Sequence, residues 1–95
     1  QNKYEEAEDY NLRTLAIREQ SNDSFSLSLI YSDLGNLYSN WGKYDRAEYY
    51  FDRSNNIAQQ MGYRELLSNN YQSMSQLANR MGRFKEAFEF FTWHT

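Results

Sequence analysis

The chain states nearly the same phrase three times: "NKYEEAEDYN" from Asn2, "GKYDRAEYYF" from Gly42 and "GRFKEAFEFF" from Gly82. Tyr4, Tyr44 and Phe84 share a column, which sets a constant period of 40 residues. Other columns keep that register, among them Lys3/Lys43/Arg83, Ala7/Ala47/Ala87, Tyr10/Tyr50/Phe90, Ile17/Ile57, Leu27/Leu67, Tyr31/Tyr71, Leu34/Met74 and Leu37/Leu77. A fixed period of roughly 20 to 50 residues specifies a stack of like units, none of which can bury its apolar face alone. A chain of 95 residues holds two such units and part of a third, which leaves no room for a two-domain enzyme.

Inside each period the apolar spacing is helical. Leu27, Ile30, Tyr31, Leu34, Leu37, Tyr38 and Trp41 form a stripe at i, i+3, i+4 and i+7, the mark of an amphipathic helix. Tyr44, Ala47, Phe51, Ile57, Ala58 and Met61 continue the pattern, as do Leu67, Tyr71, Met74, Leu77, Ala78 and Met81. Gly42, Gly62 and Gly82 stand just past these stripes, where a helix commonly ends in a left-handed residue. Shifted back one period, Gly42 and Gly62 fall on Asn2 and Asn22, and asparagine is the side chain that next best tolerates that conformation. No proline interrupts the pattern. The spacing predicts five helices, over 3–20, 24–41, 44–60, 64–81 and 84–95, with short gaps that make successive helices antiparallel neighbours.

The central copy carries Tyr31, Leu34, Gly35 and Tyr38, then Gly42 and Tyr44 at the turn, then Ala47 and Phe51. This pattern resembles the tetratricopeptide repeat (TPR), a helix-turn-helix unit with a large residue, Leu-Gly and Tyr on its first helix and Ala and an aromatic on its second. The later copy keeps Tyr71, Gly82, Phe84, Ala87 and Phe91 but has Met74-Ser75 for Leu-Gly and Ala78 for the tyrosine. The first copy has Asn11 where the aromatic belongs. The 40-residue unit, against the standard 34, is similar to the long-helix variety found in bacterial sensor kinases and transcriptional regulators. The resemblance implies an all-α fold, antiparallel helix-turn-helix repeats stacked as an α-α superhelix, a TPR-like solenoid. Its units are 1–22, the second helix of a partial repeat, 23–62, a complete repeat, and 63–95, a nearly complete one.

Physically, Gly35 within a helix costs about 1 kcal/mol relative to alanine, which makes sense where the partner helix comes close. Ala47 and Ala87 supply matching small residues, and Tyr38, Tyr44 and Phe51 fill the wedge between helices. The crowded Phe88, Phe90, Phe91 and Trp93 give the last turns no polar outer face, so the sequence reads as a section of a longer array with a further helix beyond Thr95. Ends of that kind favour self-association.

No constellation for catalysis stands out. His94 is the sole histidine, with no cysteine to complete a metal site. Paired acids such as Asp45 and Glu48 sit at spacings that serve helix surfaces. The glycines recur once per helix end instead of clustering into a phosphate loop. Lys and Arg number 10 against 13 Asp and Glu, a net charge of −3 with both signs scattered, which argues against the basic footprint of a nucleic-acid binder. The acidic run Glu5, Glu6, Glu8 and Asp9 suits the start of a helix. No apolar run approaches the ~20 residues of a membrane span. A chain without cysteine is compatible with a reducing cytoplasm and with an oxidising periplasm.

The resemblance places the first helix of each repeat along a concave groove. Carried over by position, the groove shows Ser32, Asp33, Asn36, Ser39 and Asn40, then Gln72, Ser73, Gln76, Asn79 and Arg80. Amides both donate and accept, which suits an extended peptide backbone. The expectation is a noncatalytic module, without cofactor or metal, that binds a protein or peptide partner or another domain of the same chain. A structural spacer or oligomerisation segment with an empty groove is the alternative.

Overall fold

The computed structural model describes residues 3–82. Four helices follow one another, α1 (Lys3–Glu19), α2 (Ser24–Trp41), α3 (Tyr44–Met61) and α4 (Arg64–Arg80), and no strand occurs among the described residues. Their ends fall within one residue of those the periodicity predicts, the usual uncertainty of a fraying terminus. The fifth predicted helix, with Phe84, Ala87, Phe88, Phe90, Phe91, Trp93 and His94, lies outside the described residues.

The joint between α2 and α3 is closed by backbone alone. Gly42 adopts φ 85°, which turns its N–H onto the Ser39 carbonyl at 3.3 Å and that of Lys43 onto the Tyr38 carbonyl at 2.9 Å. Gly62 (φ 75°) repeats the device after α3, with the Tyr63 N–H on the Ala58 carbonyl at 2.9 Å. Two of the carbonyls orphaned at a helix end are thereby satisfied. The expectation for Asn22 fails, because no residue other than glycine has positive φ among those described. A side chain closes that joint instead: Ser21 Oγ donates to the Arg18 carbonyl at 3.0 Å and accepts from the Asp23 N–H at 3.3 Å. Asn2 lies outside the described residues. Asp23 then caps α2, its carboxylate accepting from the Ser26 N–H at 3.1 Å and the Ser26 hydroxyl at 2.7 Å, bonds that hold it below the usual carboxyl range.

Helix α2 is the hub. It packs on α1, α3 and α4, whereas the backbones of α1 and α3 do not approach each other. Helices that meet in one layer and splay in the other make a curved stack, with α2 and α4 on its inner side. Ile30, Tyr31, Leu34 and Tyr38 of α2 join Leu15, Ala47, Phe51 and Leu77 in the core. The closest fit is at Gly35, where a Cβ would lie 2.7 Å from Phe51 Cδ1, 2.8 Å from Cε1 and 2.9 Å from Cγ. Alanine, too, is buried there, but the Phe51 ring and not Ala47 is the glycine's nearest neighbour.

The two seams between successive repeats occupy the same columns with opposite chemistry. At the α1/α2 seam the columns hold Leu15 and Ile30, both core residues. One period later, at the α3/α4 seam, they hold Asn55 and Asn70, and Asn70 is fully buried. Asn70 Nδ2 donates to Asn55 Oδ1 and to Ser54 Oγ, each at 2.8 Å, while its Oδ1 accepts from Ser32 Oγ at 2.7 Å. Ser54 Oγ in turn donates to the Ser28 carbonyl at 2.8 Å. Three helices are tied by this cluster. No buried side-chain polar atom among the described residues lacks a partner, which is the condition for such a network to stabilise a core.

Two substitutions test these joints. Gly35→Ala is expected to lower unfolding free energy in urea by about 1–3 kcal/mol, and by less in a Phe51→Leu background, because the buried ring has nowhere to move. Asn70→Ile alone should cost about 1–3 kcal/mol by orphaning Asn55, whereas Asn55→Leu with Asn70→Ile should cost less than the sum of the single changes, since it restores the chemistry of the other seam.

Candidate functional site

The inner face of the stack is built by spacing on α2 and α4. Asp33, Asn36 and Asn40 recur at i, i+3 and i+7 on α2, and all three are exposed. Gln76 and Arg80 continue the face on α4 and are likewise exposed, with Ser73 half-buried between them. Arg80 spans the two helices: its Nη1 donates to Ser39 Oγ at 2.7 Å and to Asn40 Oδ1 at 2.9 Å. Of the residues expected in the groove, these form one contiguous polar strip.

Ser32 and Ser39 stand elsewhere. They are 8% and 4% exposed, turned into the crevice between α2 and α4, Ser32 committed to Asn70 and Ser39 to Arg80. The reason is angular: one position along a helix is a rotation of about 100°, enough to carry a side chain from the inner face to the seam. Gln72 and Asn79 occupy the equivalent columns on α4 and are exposed. Leu29 and Asn69, not singled out by the sequence reading, share the inner face by the same spacing, four residues before Asp33 and Ser73. The helical period alone carried that signal.

Charge on the strip is sparse. Asp33 is solvent-exposed in area yet surrounded by enough protein that desolvation holds its carboxyl above the usual range, a shift that the Arg18 guanidinium only partly opposes. No hydrogen bond or ion pair reaches its carboxylate among the described residues. Arg18 itself is engaged, its Nη1 donating to the Ser26 carbonyl at 2.9 Å.

The outer side has a different character. Between α1 and α3 an open recess of about 450 Å³ is lined by Glu8, Leu12, Tyr38, Arg46, Tyr49 and Tyr50, with Asp45 at its edge. Tyr38 donates to Glu8 Oε2 at 2.7 Å, and burial together with that bond pushes the Tyr38 phenol well above its ordinary pKa. Tyr38 and Tyr50 stack at 5.7 Å, and Tyr31 stacks on Tyr50 at 6.0 Å. An aromatic array of this kind could serve as a cage for a cation, but the protein's own guanidinium groups hold those positions. Arg46 lies 5.6 Å over the Tyr38 ring and Arg53 lies 5.1 Å over Tyr31. The tyrosines are therefore packing, with their cations built in.

Among the described residues no group of His, Cys, Asp and Glu could hold a metal ion, and no helix is long and apolar enough to cross a membrane. What the inner strip can do chemically is donate and accept hydrogen bonds along a shallow curved surface. The tetratricopeptide repeat family model matches residues 1–60. The chain belongs to that family, whose repeats generally mediate protein–protein interaction and typically act as noncatalytic scaffolds. No curated protein and no solved structure matches it.

The division between strip and seam is measurable. Ser32→Ala should lower stability by about 1–3 kcal/mol in urea unfolding, because it leaves the buried Asn70 oxygen without its donor, whereas Asn36→Ala should stay within about 0.5 kcal/mol of the parent. Equal effects of the two changes would contradict the assignment of Ser32 to the interior.

Proposed function

We propose that the α2/α4 face binds an extended segment of a partner protein, or of another domain of the same chain, through its backbone. The observation that carries this reading is the exposed amide strip of Asn36, Asn40 and Gln76, held on two helices of a core in which every buried side-chain polar atom among the described residues has a partner. Side-chain amides offer a donor and an acceptor at each position, matching the alternating N–H and C=O groups of an extended chain. Sites on helices hold their geometry better than sites on loops, so little ordering cost falls on the protein when the segment docks. A place within a larger signalling or regulatory protein is consistent with a repeat of this length.

A second reading, as a stacking or oligomerisation segment, is favoured by one observation. Tyr10 and Ile17, seven residues apart on one face of α1, are 69% and 71% exposed. Apolar residues at that spacing on a helix form a strip suited to another helix.

The two readings separate cleanly. Peptides selected from a random 12-residue display pool on the immobilised chain should lose about tenfold in affinity against Asn36→Ala with Gln76→Ala, as expected for two hydrogen bonds, with thermal unfolding unchanged. Affinity unchanged by that pair would move recognition off the inner face. Sedimentation showing self-association that disappears on Tyr10→Ser with Ile17→Ser would instead support the stacking segment.

A further inference from the structure

The inner face holds one charged side chain, Asp33, that makes no hydrogen bond or ion pair among the described residues. Asp33 lies at the middle of the α2 strip, with Leu29 one turn before it and Asn36 and Asn40 after it. Its column on α4 is the neutral Ser73, so the repeat does not require an acid there and core packing does not use it. The other charge on the face, Arg80, donates through Nη1 to Ser39 and Asn40, and Arg18, which acts on Asp33 only through space, donates to the Ser26 carbonyl. An exposed carboxylate that makes no hydrogen bond or ion pair within the fold is free to take a charge-assisted contact from a docking cation.

We infer that the groove selects segments carrying a lysine or arginine, whose side chain lays its methylenes along Leu29 and sets its charged head on the Asp33 carboxylate. This rests on the reading of the α2/α4 face as a peptide groove and names what that groove prefers. Long basic side chains divide in this way, apolar stem on an apolar neighbour and head on an acid. Asn36 and Asn40, on the same strip, remain to hold the segment's backbone. Acidic segments are disfavoured at this position by the same charge.

The test uses the full chain and the peptides selected from the random 12-residue pool. Selected sequences should share a lysine or arginine at one aligned position. Fluorescence anisotropy in low salt should show about tenfold weaker binding when that residue is replaced by norleucine, as expected for loss of a charge-assisted contact. Asp33→Asn should weaken the lysine peptide by the same factor and leave the norleucine peptide unaffected, with the thermal melt unchanged. Lysine peptides that lose equally against the parent and Asp33→Asn, or selected peptides with no shared basic position, overturn the inference. They do so while the amide groove stands, provided binding still falls with Asn36→Ala and Gln76→Ala. Peptides indifferent to that amide pair, or a pool that yields no binder, overturn the groove reading and this inference with it.

Discussion

One missing carbon organises the molecule. At Gly35 the Phe51 ring lies where a Cβ would be, so α2 and α3 approach more closely than two ordinary helical surfaces allow. At that crossing Leu34, Ala47 and Phe51 are completely buried. Because α2 also touches α1 and α4, an error at this one crossing would propagate to both seams. A glycine in mid-helix is locally unfavourable, and its presence is explained by tertiary packing that exceeds the local cost.

The second constraint is polar. The cluster of Ser28, Ser32, Ser54, Asn55 and Asn70 is held by hydrogen bonds, and its central pair Asn55 and Asn70 stands where Leu15 and Ile30 pack one period earlier. Buried hydrogen bonds are directional and dispersion contacts are not, so the polar seam defines the relative height of α3 and α4 more narrowly than apolar packing would. Arg80 extends the same control to the inner face by tying α4 to the end of α2. Stability and presentation of the strip are thus linked through shared residues.

Much of this was legible in the residues. The 40-residue columns gave the repeat, the 3.6-residue stripes gave the helices, and Gly42, Gly62 and Gly82 marked the three left-handed residues that follow them. Asn22 misled because a position can keep a permissive residue while a neighbouring side chain, here Ser21, takes over the job of closing the helix. The seam network was hidden for a related reason. Asn55, Asn70 and the serines look like surface composition until three helices bring them together, and no local pattern announces a partner 38 residues away, as with Ser32 and Asn70. Column alignment leaves the rotation of the flank positions undecided, and the fold buries Ser32 and Ser39 against Asn70 and Arg80.

The mismatch between the two seams limits how the unit can be copied. The repeat 23–62 presents Ile30 to the unit before it and Asn55 to the unit after it. Joined head to tail with itself, it would set each Asn55 against an Ile30, burying an amide with no mate at every junction. A homopolymer of this unit is therefore self-frustrated, although the unit is sound. Position in the array is encoded in the joints, much as keyed blocks assemble in only one order, and duplication of this segment would yield a longer protein only after a neighbouring joint had been rewritten to match.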